Sequence, residues 1–561
     1  MIPKTEQKSA DVLVLGGGMA GCMGACAAAM AGRSVVLVDK AWVGGSGESC
    51  FAAGDMLYFD PEQDSLQEWL ERWNRNGNGM FDPEWMEWYA KSSTEIINMM
   101  NTWGMDFEKD ADGRFKRKPG RGHNHAVVFP GFKMMRKLRA RLEKLGVTIV
   151  DRVQVTDLLT NSGEVVGATG FHVRTGQFHI FHAKNTILST GSCSFKGQYH
   201  GQDMESGEGN TMALRAGAEF TNMEFSNCYN STARDFDICG MSRFQRLGGR
   251  FTNALGEAFM DRYDPVNKDG ALLHILVRAM TTEVNEGRGP IYFNLKNMSA
   301  EDRELSYRIV PTFFAACKSC GIDPFEDSVE WIPGFMGSTS SGSGLTLKSF
   351  ACDTTVPRLF ASGDMANQGL LIGSIAGAGA VHLGWACISG FRAGEGAAKA
   401  CEGTELLPLD EEQVEAVRKK TFAKLGHEGR LSIDEAIYRI QSCVIPAKYN
   451  IIRSGENLKE ALTALDRIEE DIENEIIVRN THELMLYHEL CGMLTTARLT
   501  FTSALERKES RGSHYRTDYP EMKKEWNVWL KSKLKDGKIE ITREPVQTEK
   551  FERYGLPVYP L

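Results

Sequence analysis

The run Gly16-Gly17-Gly18-Met19-Ala20-Gly21 constrains this chain more than any other stretch. It fits the spacing G-x-G-x-x-G, follows an apolar run at 11–15, opens a small-residue run at 18–31 and precedes a second apolar run at 34–38. That succession predicts strand, tight turn, helix and parallel strand, which is one nucleotide-binding half of a doubly wound sheet. Gly16 permits the turn, Gly18 lets backbone approach a pyrophosphate, and Gly21 lets the helix pack on the strand. The helix N-terminus then faces the phosphates, where its unpaired N–H groups and dipole favour negative charge. Asp39 ends the second strand, 23 residues after Gly16, and is placed to accept from a ribose hydroxyl.

At 561 residues the chain is too long for one hydrophobic core, so two or three domains are expected. The same strand style returns at 147–150, 165–173, 178–183 and 186–188, and again at 357–364, where it ends in a Gly-Asp turn. From Arg234 to Gly337 the pattern is irregular and the nucleotide-binding glycines stop. From about Leu409 to the C-terminus helices dominate: Leu458, Ala461, Leu462, Leu465, Ile468 and Ile472 recur at helical spacing, and the acidic run Glu469-Glu470-Asp471 reads as the solvated face. The last 45 residues are polar, carry Pro520, Pro545, Pro557 and Pro560, and read as an extended tail. The expected fold class is α/β: a Rossmann-type binding domain in two parts, 1–233 and 338–405, an inserted α+β capping domain at 234–337, and a C-terminal helical domain with its tail at 406–561.

A formal net charge of −9 argues against a nucleic-acid partner, which requires clustered Lys and Arg. The 13 cysteines are odd in number and scattered through apolar patterns, which suits reduced thiols in a cytoplasmic setting. Met1 to Ala10 is short and polar and predicts no secretory leader. Residues 369–390 carry no formal charge, but six glycines, two serines and His382 make a buried glycine-rich helix the expectation rather than a transmembrane segment.

The fingerprint is shared by FAD and NAD, so the choice between them rests on the downstream segments. Gly44-Gly45-Ser46-Gly47 with Ala52-Ala53-Gly54, then NTILSTG at 185–191 and VPRLFASGD at 356–364, occur in the order expected of an FAD domain. With Ser206-Gly207-Glu208-Gly209, Arg215-Ala216-Gly217-Ala218-Glu219, Gly256-Glu257-Ala258-Phe259 and Glu509-Ser510-Arg511-Gly512, the chain resembles the flavoprotein subunits of the succinate dehydrogenase and fumarate reductase family. Glu286-Gly287-Arg288-Gly289-Pro290-Ile291-Tyr292, Tyr515-Arg516-Thr517-Asp518-Tyr519-Pro520 and Trp526 make it most similar to the adenylylsulfate reductase alpha subunit branch. The resemblance implies an FAD-dependent oxidoreductase with cofactor contacts at Gly16, Gly18, Met19, Ala20, Gly21, Asp39, Lys40, Gly45, Ser46, Gly47, Ala53, Gly54, Val155, Thr190, Gly191, Gly363, Asp364, Ser374 and Ile375. It also implies a helix starting within 374–380 whose N-terminus points at the flavin.

The departures from the family are informative. Covalent members attach FAD through a His in H-T-x-x-x-G-G, where this chain has Ser49, Cys50 and Phe51, so noncovalent FAD is expected. The dicarboxylate-gripping H-P-T is replaced around Tyr229-Asn230-Ser231-Thr232, the proton-shuttling Arg falls on Leu273 with His274 beside it and Arg278 retained, and the active-site His of the adenylylsulfate branch falls on Thr339. Leu273 holds no transferable proton, which argues against fumarate reduction by the family's usual route. Arg234, Arg243, Arg246, Arg250, His274 and Arg288 remain to bind an anion, with Arg234, His274 and Arg288 the candidate catalytic residues and His123 and His125 read as packed or exposed. Cys317-Lys318-Ser319-Cys320 lacks a second ligand pair, so no metal site is expected, and the resemblance implies that electrons pass through a separate iron-sulfur, ferredoxin-like subunit.

Overall fold

The computed structural model describes residues 5–119, 125–197, 201, 203–236 and 241–560, with the backbone only at 241–243. His123 lies outside the described residues, as does the side chain of Arg243. A seven-stranded sheet organises the binding domain. Strand β1 (Glu6–Leu15) lies at its centre, paired in parallel with β2 (Val35–Asp39) through Leu13↔Val36 and with Phe178–Leu188 through Leu15↔Leu188. Thr148–Asp151 extends one edge, Val153–Asn161 and Glu164–His172 form an antiparallel flap at the other, and Leu359–Ala361 rejoins Phe178–Leu188 from far along the sequence.

Helix α1 (Met19–Met30) crosses from β1 to β2 and packs on the helix Val381–Ala400. Small residues set this approach: a Cβ on Gly390 would sit 2.3 Å from the Ala20 carbonyl oxygen, and one on Gly394 2.2 Å from that of Gly24. The small-residue composition of both segments is therefore a packing requirement, and it explains why 369–390 is uncharged without crossing a membrane. Among the described residues no helix is long and apolar enough to do so. A break at 373–380 divides the stretch into Gly369–Ile372 and Val381–Ala400, so the flavin-facing helix expected within 374–380 begins at Val381.

The inserted segment builds an antiparallel sheet from Cys228–Ala233, Val329–Gly337, Ile291–Asn294 and Arg250–Thr252, so its first strand starts ahead of Arg234. Helix Leu273–Asn285 packs on this sheet. Gly455–Glu475 buries Leu458, Ala461, Leu465, Ile468 and Ile472 while Glu469, Glu470 and Asp471 stay exposed. The expected extended tail is instead a β-hairpin, Val528–Lys535 with Lys538–Pro545, paired with Phe220–Thr221, which in turn pairs with Gly344–Leu345. Its sequence VWLKSKLK hides the strand because Lys531 is buried, held by Glu219 at 3.7 Å and Glu544 at 3.4 Å.

Candidate functional site

An elongated cavity runs from the turn after β1 to the junction with the inserted segment, leaving about 250 Å³ to the centres of water molecules. Of the sequence-predicted cofactor residues, Gly16, Gly18, Met19, Ala20, Asp39, Lys40, Ser46, Gly47, Ala53, Val155, Thr190, Gly191, Gly363 and Asp364 line it. Gly21, Gly45, Gly54, Ser374 and Ile375 do not. Gly21 lies beneath the turn, where a Cβ would meet the Gly16 carbonyl oxygen at 1.8 Å, and Gly54 is pressed as closely on Phe129. Ser374 and Ile375 are buried in the 373–380 break, Ser374 donating from its hydroxyl to the Gly77 carbonyl. Gly377, Gly379, Ala380, His382 and Leu383 take their place on the wall, a displacement that follows from the helix starting at Val381.

The turn has the features an anionic ligand needs. Gly18 caps α1 with no side-chain hydrogen bond, and a Cβ there would project over the cavity floor with only the Ser49 hydroxyl near, at 3.4 Å. Asp39 accepts from Gly17 N at 2.8 Å and from Ala41 N at 2.7 Å, which fixes the turn, and its remaining lone pairs face the cavity. Gln154 Oε1 and Thr190 Oγ1, both on the wall, have no protein partner. An uncapped helix, a glycine cradle and orphaned polar atoms fit the pyrophosphate and hydroxyls of a dinucleotide.

Beneath the Val155 end lies a buried charge network that sequence reasoning missed. Lys40 Nζ donates to Glu208 and to Glu489, each at 2.7 Å, and Lys196 reaches the other Glu489 oxygen at 2.6 Å. Burial pushes the Lys40 ammonium down, but the two carboxylates outweigh it and hold the pKa above the ordinary range. Gln154 Nε2 adds a hydrogen bond to Glu208 at 3.2 Å. Glu489 lies 449 residues from Lys40, so only the fold could reveal this pairing.

A second group, Glu48, Glu205 and Asp364, converges on the cavity within 4.8 Å. Burial, then the Asp364 charge, pushes Glu205 up to about 8, although Thr339 Oγ1 donates to it at 2.8 Å. Burial raises Asp364 to about 6 against a hydrogen bond from Ser340 N. Both face the open cavity, so solvent screens part of each shift.

The far end is lined by Asn230, Leu273, Met336, Ser340, Gly377 and His382. Leu273 lies against Gly377, where a Cβ would meet its Cδ1 at 2.1 Å. His382 accepts from Ala378 N at 2.8 Å and its other ring nitrogen pairs with Gln368 at 2.6 Å. Burial lowers its pKa to about 3, so it is a neutral wall residue. Lys40 is the one Lys or Arg on the cavity lining among the described residues.

The candidate catalytic residues are not brought together here. Arg234 is exposed and bidentate to Glu330, both contacts at 2.8 Å, because the adjacent strand carries that carboxylate outward. Arg288 is held by Glu283 and Glu286, and this bonding, with Arg288 first, holds Glu283 well below the carboxylate range. Arg250 pairs with Asp269 and Asp261, Arg246 donates to the Gly270 carbonyl, and His125 is exposed. His274 lies behind Leu273 in a separate small pocket. Cys317 is buried and Cys320 exposed at one helix end, and all twelve described cysteines are free thiols.

Comparison with known proteins agrees with this geometry. A family model described as FAD binding domain matches residues 11–377, and one described as fumarate reductase flavoprotein C-term matches 440–558. The chain is 28% identical to an uncharacterized FAD-dependent oxidoreductase of Methanocaldococcus jannaschii, covering 93% of this chain and 96% of that protein. It is 27% identical to one of the subunits of the fumarate reductase (CoM/CoB) of Methanothermobacter marburgensis, covering 93% and 97%. In fold it matches a variant of the E. coli quinol fumarate reductase with a TM-score of 0.86 at 19% identity over 97% of each chain. The adenylylsulfate reductase of Archaeoglobus fulgidus matches with a TM-score of 0.81 at 24% identity over 97% and 96%.

Proposed function

The chain belongs to the FAD-binding flavoprotein family of succinate dehydrogenase and fumarate reductase, and from that premise we propose that it is the flavin-carrying catalytic subunit of a two-electron oxidoreductase acting on a small anionic or conjugated substrate. It is an FAD-dependent oxidoreductase. The observation that carries the substrate reading is the position of the cavity's far end, where Asn230, Leu273 and Met336 of the inserted segment meet the binding-domain wall. A substrate there is enclosed between the two units and shielded from water.

FAD, when bound, accepts or delivers an electron pair at this end of the cavity. We assign the pyrophosphate to the backbone around Gly16, Gly18, Met19 and Ala20, the adenosine end to Asp39, Lys40, Gln154 and Val155, and the ribityl chain to Gly363 and Asp364. Ser49, Cys50 and Phe51 offer no histidine for attachment, which supports noncovalent binding. The first turn of Val381–Ala400 meets the cavity, where its dipole favours negative charge. Among the described residues the one convergent group of metal-capable side chains is Glu48, Glu205 and Asp364, all carboxylates, which supports an iron-sulfur protein as the route for electrons. Arg234 and Arg288, each held by carboxylates, leave the substrate role in this reading.

The same observation favours a substrate other than a dicarboxylate bound in the family's usual way, because Leu273 cannot protonate a carbon beside the flavin. The test is turnover of fumarate with reduced viologen beside an authentic fumarate reductase, after acid precipitation has shown that the FAD leaves the polypeptide. The expected rate is lower by about 10² to 10⁴, the usual contribution of a general acid. Comparable turnover, or flavin that stays with the denatured chain, overturns the reading.

A further inference from the structure

Behind Leu273 lies a second pocket with room for about one water-sized oxygen, roughly 10 Å³. Leu273 lines both spaces and is the partition between them. His274, Val277 and Arg278 enter from helix Leu273–Asn285, Asn227 from ahead of the first inserted strand, and Ser513 and Tyr515 from the C-terminal segment. Among the described residues the lining has no acidic side chain.

Three of its polar groups lack partners. Arg278 lies over the Tyr515 ring at 4.7 Å, and among the described residues its guanidinium has no ion pair. In the same inserted segment Arg234, Arg250, Arg262 and Arg288 are all paired with carboxylates. Asn227 is 4% exposed, uses its amide donor on the carbonyls of Asn450 and Ser513, and leaves Oδ1 unbonded. His274 Nδ1 is also buried and unbonded. A buried guanidinium without an anion, beside two orphaned polar atoms, carries a desolvation cost that a ligand would offset.

The surroundings reinforce the preference for negative charge. Helix Leu273–Asn285 starts here with no side-chain cap, so its positive end meets the pocket. Arg453, fully buried nearby, satisfies its donors on the carbonyls of Tyr449 and Glu224, on Asn450 and on His514, with no ion pair of its own among the described residues. Burial and then Arg278 lower the His274 pKa to about 3, so the ring is neutral and serves as a hydrogen-bonding group.

We propose, resting on the functional reading above, that this pocket is the subsite for the substrate's carboxylate, with Arg278 as its cation, His274 and Asn227 as its polar contacts, and Leu273 as a side chain that swings aside to admit it. One carboxylate oxygen fits the existing space, and rotation of Leu273 opens the rest toward the flavin cavity. The reacting carbon then lies on the flavin side of Leu273 and the charge on the far side. The substrate class is thus a short carboxylic acid, saturated or conjugated next to its carboxylate.

The experiment uses the FAD-loaded protein and follows the flavin absorption band during titration with acetate, crotonate, fumarate and succinate, with crotonamide as the uncharged counterpart of crotonate. The expected result is saturable perturbation by at least one acid and none by crotonamide. In Arg278→Met the dissociation constant for that acid rises about 10- to 100-fold, as expected for loss of a hydrogen-bonded charge, at unchanged flavin content. Arg278→Lys retains part of the affinity, and Arg430→Ala, an exposed substitution, leaves it unchanged. Wild-type affinity in Arg278→Met overturns the subsite alone. Crotonamide binding as well as crotonate also overturns it. A wild-type flavin that no acid perturbs overturns the anionic-substrate reading together with the subsite.

Discussion

Glu205 carries a carboxyl whose pKa, raised by burial and by Asp364 from an ordinary 4.5 to about 8, links pH to the stability of the flavin-free protein. A group with a raised folded-state value stabilises the fold fully below its unfolded value, and that contribution is lost as pH rises through the folded one. The window is therefore from about pH 4.5 to about 8. Glu205→Gln, which keeps the shape and the Thr339 contact but cannot ionise, should match the wild type near pH 4.5 and become more stable by about 1 to 3 kcal/mol at pH 8, after allowance for water in the cavity. Thermal unfolding of the flavin-free proteins across that range checks it, and parallel curves would remove Glu205 as the titrating group. Asp364 shifts in the same direction, so a smaller slope of the same sign persists in the variant.

Among the elements, the break at 373–380 is where backbone conformation and site geometry are most tightly joined. Gly377 has φ +66° and Ala380 φ +64°, both left-handed, so the segment turns sharply before Val381 begins its helix toward the cavity. Gly377→Ala faces that backbone penalty and a Cβ 2.1 Å from Leu273 Cδ1, and should destabilise the holoprotein by about 2 to 4 kcal/mol. Adding Leu273→Ala relieves the contact but not the backbone strain. The double variant should therefore show a coupling of about 0.5 to 3 kcal/mol between the two sites in thermal unfolding, and strict additivity would show that they do not touch. Residues 16–21 announce the first turn in sequence because glycine spacing there is local chemistry. The 373–380 break reads in sequence as a helix start because glycine, serine and alanine suit a buried helix and a left-handed turn equally. The strand Phe178–Leu188 reads as two because Lys184 and Asn185 interrupt the apolar pattern, yet Lys184 pairs with Asp11 at 2.9 Å and Asn185 donates to the Ala397 carbonyl at 3.2 Å. Arg234 and Arg288 look available in sequence, since their carboxylate partners Glu330 and Glu283 become neighbours only in the folded sheet and helix.

At the scale of the whole molecule, the last residues bind the first third of the chain. Trp529 Nε1 donates to the Met80 carbonyl at 3.0 Å, Phe551 packs edge-on to Phe81 at 5.6 Å, and Lys550 reaches Asp82 at 2.6 Å and Glu84 at 2.8 Å. Phe551→Ala should cost about 3 to 5 kcal/mol, the usual range for a buried aromatic truncated to Ala, and lower the unfolding temperature of the complete protein; an unchanged temperature would show that this end is docked without consequence. The Lys40 network spans a greater distance. Its anchor Glu489 follows Lys40 by 449 residues, so at ordinary rates of protein synthesis the cavity floor stays unfinished for roughly 20 to 90 s after Lys40 is made. The N-terminal βαβ unit emerges from the ribosome long before it can grip a dinucleotide firmly, which makes flavin capture a late event in the life of the nascent chain and ties cofactor loading to successful completion of the C-terminal helices.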